Sequence, residues 1–199
     1  MESSGNQGKA VIFSAPSGSG KTTIVRYLLE HVGSPMGFSV SATTREIRGT
    51  ERDGVDYHFM SVDEFKRHVA DGAFVEWEEV YPGKCYGTLK SELQRMWDRK
   101  ETALFDVDVE GGVNLRKALG DQALSVFIQP PSLEVLRERL EGRGTDSPAV
   151  INERLEKAAK ELEFAHQFDV VLVNDALDLA CEEAVSLVRA FLVERPHAS

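Results

Sequence analysis

Residues 15–23 read APSGSGKTT and follow directly on the apolar run AVIF, Ala10 to Phe13. A glycine-rich turn between a buried strand and a helix exposes several backbone N–H groups. It aims them at one point, at the positive end of the helix dipole. Lys21 adds a mobile charge that reaches β- and γ-phosphates, and the Thr22 hydroxyl can hold Mg2+. Ala15, Pro16, Ser17, Gly18, Ser19, Gly20, Lys21, Thr22 and Thr23 therefore read as a cradle for a nucleotide triphosphate. The strict spacing wants glycine six residues before the lysine, where Ala15 stands; alanine serves there if its φ stays negative. The amphipathic stretch IVRYLLEHV, Ile24 to Val32, supplies the helix that must follow.

The rest of the chain has the rhythm such a loop requires. Apolar, β-rich runs recur at 10–13 (AVIF), 38–42 (FSVSA), 103–108 (ALFDVD), 124–129 (LSVFIQ) and 170–173 (VVLV). Leu177, Cys181, Ala184, Val188 and Phe191 recur at helical spacing, as do Ile151, Leu155, Ala158, Leu162 and Ala165. Strands alternating with helices predict a parallel α/β sheet, with ligands at the carboxyl ends of the strands. Two stretches break the rhythm. Residues 43–100 are rich in charge and turns, with hairpin-like YHFM and FVEW segments around a short helix that Ser61 and Glu64 open as a capping box. Residues 141–149, EGRGTDSPA, read as a mobile flap.

Composition narrows the class. With 33 acidic and 23 Lys or Arg residues the formal charge is −10, which argues against general nucleic-acid binding but not against a phosphate-bearing small substrate. The two cysteines, Cys85 and Cys181, fit a reducing compartment without a disulfide framework. No apolar run approaches the ~20 residues that span a bilayer, and MESSGNQGK is no secretory signal. A cytoplasmic protein of one domain, with no membrane or nucleic-acid partner, is the expectation; monomer and homodimer both stay open.

Arg45, Arg48 and Arg52 lie close together, with Tyr57 shortly after. Guanidiniums pair bidentately with phosphate oxygens, so this is a second phosphate site or else a solvated charged loop. The strand ALFDVD ends in two acids. Asp106 sits where a phosphate-loop enzyme places a Mg2+-orienting carboxylate, and Asp108 projects to the same face. Both could instead cap the helix that begins near Glu110. Asn174 and Asp175, at the end of VVLVN, are suited to contacting adenine, with capping by Asp175 the alternative. The five histidines have no metal-ligand spacing, and Trp77 and Trp97 read as packing residues.

SATTR with Arg48 and Glu51, DYHF, FVEW, CYGT, FDVDVEG, PPSLEVLRERLEGRGT and VND together resemble the guanylate kinase family, in the family's order, from about residue 9 to 192. The resemblance implies a phosphate-loop nucleoside-monophosphate-kinase fold. Its parallel core would be residues 9–42, 101–139 and 155–193, its GMP-binding lobe 43–100 and its lid 140–154, with tails at 1–8 and 194–199. It implies transfer of the ATP γ-phosphoryl to GMP, and to dGMP, with Mg2+. Arg45, Arg48, Tyr57 and Tyr86 would hold the GMP phosphate. Ser41, Glu76, Thr88 and Asp108 would read guanine, with Glu51 at a further family position. Arg139, Arg143 and Arg154 would be lid arginines that join Lys21 and Arg45 in catalysis. Glu78 and Glu79 read as exposed strand carboxylates paired with a lysine, and Arg137 and Lys157 as solvated helix faces. The rival readings are a non-catalytic binding module of the same fold and a sugar-phosphate kinase.

Overall fold

The computed structural model describes residues 8–144 and 146–193. From the amino end, β1 (Ala10–Ser14) leads into α1 (Lys21–His31) and the short β2 (Met36–Phe38). An excursion follows: β3 (Ala42–Thr43), β4 (His58–Phe59), α2 (Val62–Ala70), β5 (Phe74–Tyr81) and β6 (Lys84–Leu89). The chain returns through α3 (Lys90–Asp98), β7 (Thr102–Asp106), α4 (Val109–Leu119), β8 (Ala123–Gln129), α5 (Leu133–Gly142), α6 (Pro148–Leu162), β9 (Val170–Val173) and α7 (Leu177–Val193).

The core is a five-stranded sheet in the order β2-β7-β1-β8-β9, with every pairing parallel. β1 lies at its centre and is buried along its whole length. Because side chains alternate along a strand, its Val11 and Phe13 join the cluster under α1 and α7, while Ala10 and Ile12 join the cluster with α3 and α4. Burial on both faces explains why AVIF is an unbroken apolar run. The chain order reverses on either side of β1, so the loop after β1 opens at the switch point of the sheet.

The excursion forms a second sheet, ordered β4-β3-β6-β5. Here the structure corrects the sequence reading twice. FSVSA is not one strand: Phe38 ends β2 in the core sheet and Ala42 opens β3 in the second. YHFM and FVEW do not form a hairpin with each other, since β3 and β6 lie between them. Alternating apolar and polar residues announce a strand but do not name its partner. α3, expected with the inserted lobe, belongs to the core: its Leu93 and Met96 pack with Ile12 and Phe105. The connection between the sheets is fastened at two points. Ser39 N–H donates to Leu104 O at 2.9 Å, and Val40 N–H donates to the buried Glu92 carboxylate at 3.3 Å.

The helix caps follow the sequence. The Ser61 hydroxyl accepts from Glu64 N–H, as the capping box predicts. Ser147 caps α6 with Pro148 at its first turn. Both ends of the expected flap are therefore helix, and only 143–147 lies between α5 and α6, with Thr145 outside the described residues. α5 and α6 share their own small core of Leu136, Leu140, Ile151, Leu155 and Ala158.

Gly112 is where α4 packs directly on β1. A Cβ there would come within 2.3 Å of Ser14 Oγ and 3.0 Å of the Phe168 ring. Gly112→Ala should destabilise the fold by about 1–3 kcal/mol through overpacking. The check is a lower urea midpoint with an unchanged denaturant slope.

Candidate active site

The loop after β1 has the conformation its glycines allow. Gly18 and Gly20 adopt φ of 99° and 93°, where side-chain-bearing residues are strained. Neither has room for a Cβ. One on Gly18 would come within 2.8 Å of Leu136 on α5, and one on Gly20 within 2.4 Å of Asn174 Nδ2. The loop thus folds tightly over the start of α1 and leaves the first helical N–H groups facing a cleft of about 390 Å3. Residues 15–23, Asp106 to Asp108, Arg143, Lys157 and Glu161 line it. Lys21 Nζ sits 2.5 Å from Asp106 Oδ1 and donates to Val107 O at 2.7 Å. Thr22 and Thr23 are exposed on the first turn of α1. Arg154 reaches back from α6 to donate to Ser17 Oγ at 3.0 Å and pairs with Asp146 at 3.4 Å.

A second cleft, about 330 Å3, adjoins the first and shares Asp106, Val107 and Asp108 as a wall. Its far side carries Ser41, Tyr57, Glu76, Glu78 and Tyr86 from the second sheet. Glu76 lies opposite Thr88 on the β5–β6 ladder, and the Thr88 hydroxyl donates to Glu76 Oε1 at 2.9 Å. Burial, and then repulsion from Glu78 and Asp108, raise the Glu76 carboxyl to about 7 against the opposing Thr88 bond. Asp108 resolves the alternatives left by the sequence in part: it caps α4, accepting from Gly111 N–H at 2.8 Å, while facing both clefts. Asp106 caps nothing and holds Lys21.

The arginine cluster separates into different environments. Arg45 is buried and meets Glu51 through two hydrogen bonds of 2.8 Å. Its guanidinium lies 5.0 Å from the Tyr57 ring and 5.6 Å from Phe59. The Arg45 bonds and the Arg48 backbone N–H pull Glu51 down to about 2. Glu51 therefore shapes this turn around Arg45 instead of facing the cleft. Arg48 and Arg52 are exposed on the same loop. Tyr57 and Tyr86 pack edge to face at 6.1 Å.

Three placements differ from the sequence reading. Glu78, expected as an exposed carboxylate paired with lysine, is half-buried on the cleft wall and makes no ion pair among the described residues. Its spacing of two from Glu76 on a strand was the available signal. Asn174, expected to face adenine, is 3% exposed and donates from Nδ2 to Ser19 O at 2.8 Å. Arg139, expected to close over the phosphoryl group, donates from Nη2 to the carbonyls of Asn174 at 2.8 Å and Asp175 at 3.3 Å. Asp175 itself is exposed. Ser14, unnoticed in the sequence, is fully buried and ties β1 to the Asp108 carbonyl at 2.9 Å. Cys85 and Cys181 are both free and buried.

A family model described as guanylate kinase matches residues 7–191. The chain belongs to the guanylate kinase family. It is 50% identical over 186 residues to a guanylate kinase of Bacteroides fragilis, covering 94% of this chain and 91% of that one. It is 46% identical to a guanylate kinase of Porphyromonas gingivalis, covering 94% and 99%. The crystal structure of guanylate kinase from Anaplasma phagocytophilum is similar at 29% identity with a TM-score of 0.68, covering 94% of this chain and 87% of that one.

The raised Glu76 carboxyl has a cost in the free protein once it ionises. A folded-state value above the ordinary 4.5 means that the folded form binds the proton more tightly. The increment of stability is complete below about 4.5 and lost as pH rises through about 7. Glu76→Gln should therefore raise the unfolding temperature at pH 8 and change it little at pH 4. Equal shifts at both values would mean that the carboxyl is not strained by its surroundings.

Proposed function

We propose that this chain catalyses ATP + GMP → ADP + GDP, and accepts dGMP, by direct phosphoryl transfer between the two adjoining clefts. The observation that carries the reading is their common wall. A triphosphate held by the loop and a monophosphate lodged against the second sheet would meet at Asp106 to Asp108. An oxygen of the GMP phosphate attacks the γ-phosphorus, the bond to the β–γ bridging oxygen breaks, and ADP leaves. The attacking oxygen is already anionic, so no general base is required. The work is positioning and charge stabilisation.

On the donor side, the loop N–H groups and Lys21 hold the β- and γ-phosphates, and Arg143 and Arg154 contribute charge from the α5–α6 unit. Of the two residues after β9, the exposed Asp175 is the one left to contact adenine, since Asn174 is buried against Ser19. On the acceptor side, Arg45, Arg48, Tyr57 and Tyr86 hold the GMP phosphate, with Glu51 keeping Arg45 in place. Guanine presents N1–H and an exocyclic amino group on one edge, two donors that the ionised Glu76 accepts together. Adenine has no such pair of donors. Ser41, Thr88 and Asp108 complete that pocket.

The residues present also fit Mg2+. Thr22 and Asp106 line one cleft, and no cluster of three or more His, Cys, Asp or Glu side chains suited to a metal occurs among the described residues. That donor set suits a cation bound through one or two protein oxygens together with substrate phosphates. When bound, Mg2+ supplies charge neutralisation across the phosphates. We place the reaction in the cytoplasm, where Cys85 and Cys181 stay reduced; no helix among the described residues is long and apolar enough to cross a membrane.

Coupled measurement of ADP release with GMP, AMP, CMP and UMP tests the assignment. Release with GMP alone is expected. A folded protein that binds GMP but releases no ADP would favour the non-catalytic module. Lys21→Ala should lower turnover by roughly a hundred- to a thousand-fold. Near-normal turnover in that variant would remove Lys21 from the chemistry.

A further inference from the structure

We infer that Asn174 is a positioning residue for the phosphate loop, acting by holding the Ser19 carbonyl so that the Gly20 N–H of the same peptide is aimed into the phosphate cleft. The inference rests on the reading of residues 15–23 as the ATP phosphate site and goes beyond it, because it gives Asn174 a task independent of the base.

The geometry begins at β9. Asn174 follows its last residue, and its backbone N–H donates to Gln129 O at 2.8 Å, which fixes it against β8. Its side chain is 97% removed from solvent (3% exposed) and has one hydrogen bond, from Nδ2 to Ser19 O at 2.8 Å. Asn174 Oδ1 has no partner, so the amide orientation follows from the Ser19 carbonyl. A turned amide would set two oxygens against each other.

A trans peptide is planar, and its C=O and N–H point to opposite sides. Holding the Ser19 carbonyl toward β9 therefore turns the Gly20 N–H away from β9. Gly20 lines the phosphate cleft, and its left-handed φ of 93° begins α1 directly afterwards. The absence of a Cβ on Gly20 belongs to the same arrangement, because one would overlap Asn174 Nδ2 at 2.4 Å. The Asn174 carbonyl meanwhile accepts from Arg139 on α5. One residue thus fastens β8, the loop and α5 together.

A role in reading adenine and a role in shaping the loop differ in what they do to a ligand with no base. Calorimetric binding of inorganic tripolyphosphate, ATP and GMP to Asn174→Ala separates them. Loss of a buried hydrogen bond to the loop should weaken tripolyphosphate and ATP by the same factor, roughly ten-fold, and leave GMP unchanged. Weakened ATP with unchanged tripolyphosphate would overturn the inference in favour of base contact, and no change in either would overturn it outright. If Asn174→Ala does not fold, Asn174→Leu nearly keeps the shape, removes the donor without adding a charge and is expected to give the same pattern. ADP release by the unaltered protein tests the kinase reading separately: a protein that binds tripolyphosphate but does not phosphorylate GMP would refute that reading and leave the Asn174 result standing.

Discussion

The first N–H groups of α1 have no acceptor that the helix itself can provide, and the structure is organised around that deficit. β1 delivers the chain to the centre of the sheet, the glycines turn it without Cβ atoms, and Asn174 and Gly18 press the turn between β9 and α5. The donors that remain face the cleft. An anion is the ligand that best satisfies them, and Lys21 adds the charge that the peptide dipoles lack. The fully buried β1 and the glycines that follow it fix where this loop begins and how closely it packs.

The second cleft raises the opposite problem. Glu76, Glu78, Asp106 and Asp108 converge where two anionic nucleotides would meet, on a chain already at −10. Cations are placed singly against this field. Lys21 is beside Asp106, Arg45 is locked to Glu51, and Arg143, Arg154 and Lys157 stand along the outer edge. Glu76 is pushed up to about 7 chiefly by burial, with Glu78 and Asp108 adding to it, and its ionised form is uncomfortable there without a ligand. A guanine edge with two donors would relieve that discomfort. On the proposed reading, that relief would favour a base with two donors on one edge over a base without them.

Much of this was legible in the chain. The glycine-rich turn, four of the five apolar runs and the Ser61 cap were readable because each depends on local spacing or turn chemistry. What escaped depends on partners far away in sequence. FSVSA looks like one strand because nothing in its alternation says that Phe38 pairs with Leu104 while Ala42 pairs with Gly87. α3 has an ordinary amphipathic pattern, and only the tertiary fold decides that Leu93 and Met96 face β1. Asn174 was noticed for its position at a strand end. Its bond to Ser19, 155 residues away, could not be read from either neighbourhood.

The small second sheet has a further consequence. Arg45 lies two residues beyond β3, Tyr86 and Thr88 lie on β6, and Glu76 lies on β5, with β3 and β5 both paired to β6. Given the roles proposed for them, the pairing of β3, β6 and β5 keeps the phosphate-holding and base-reading groups at a fixed separation. The sheet then acts as a length gauge. On that reading the strand ladder, and not the loops around it, would set the span between phosphate and base.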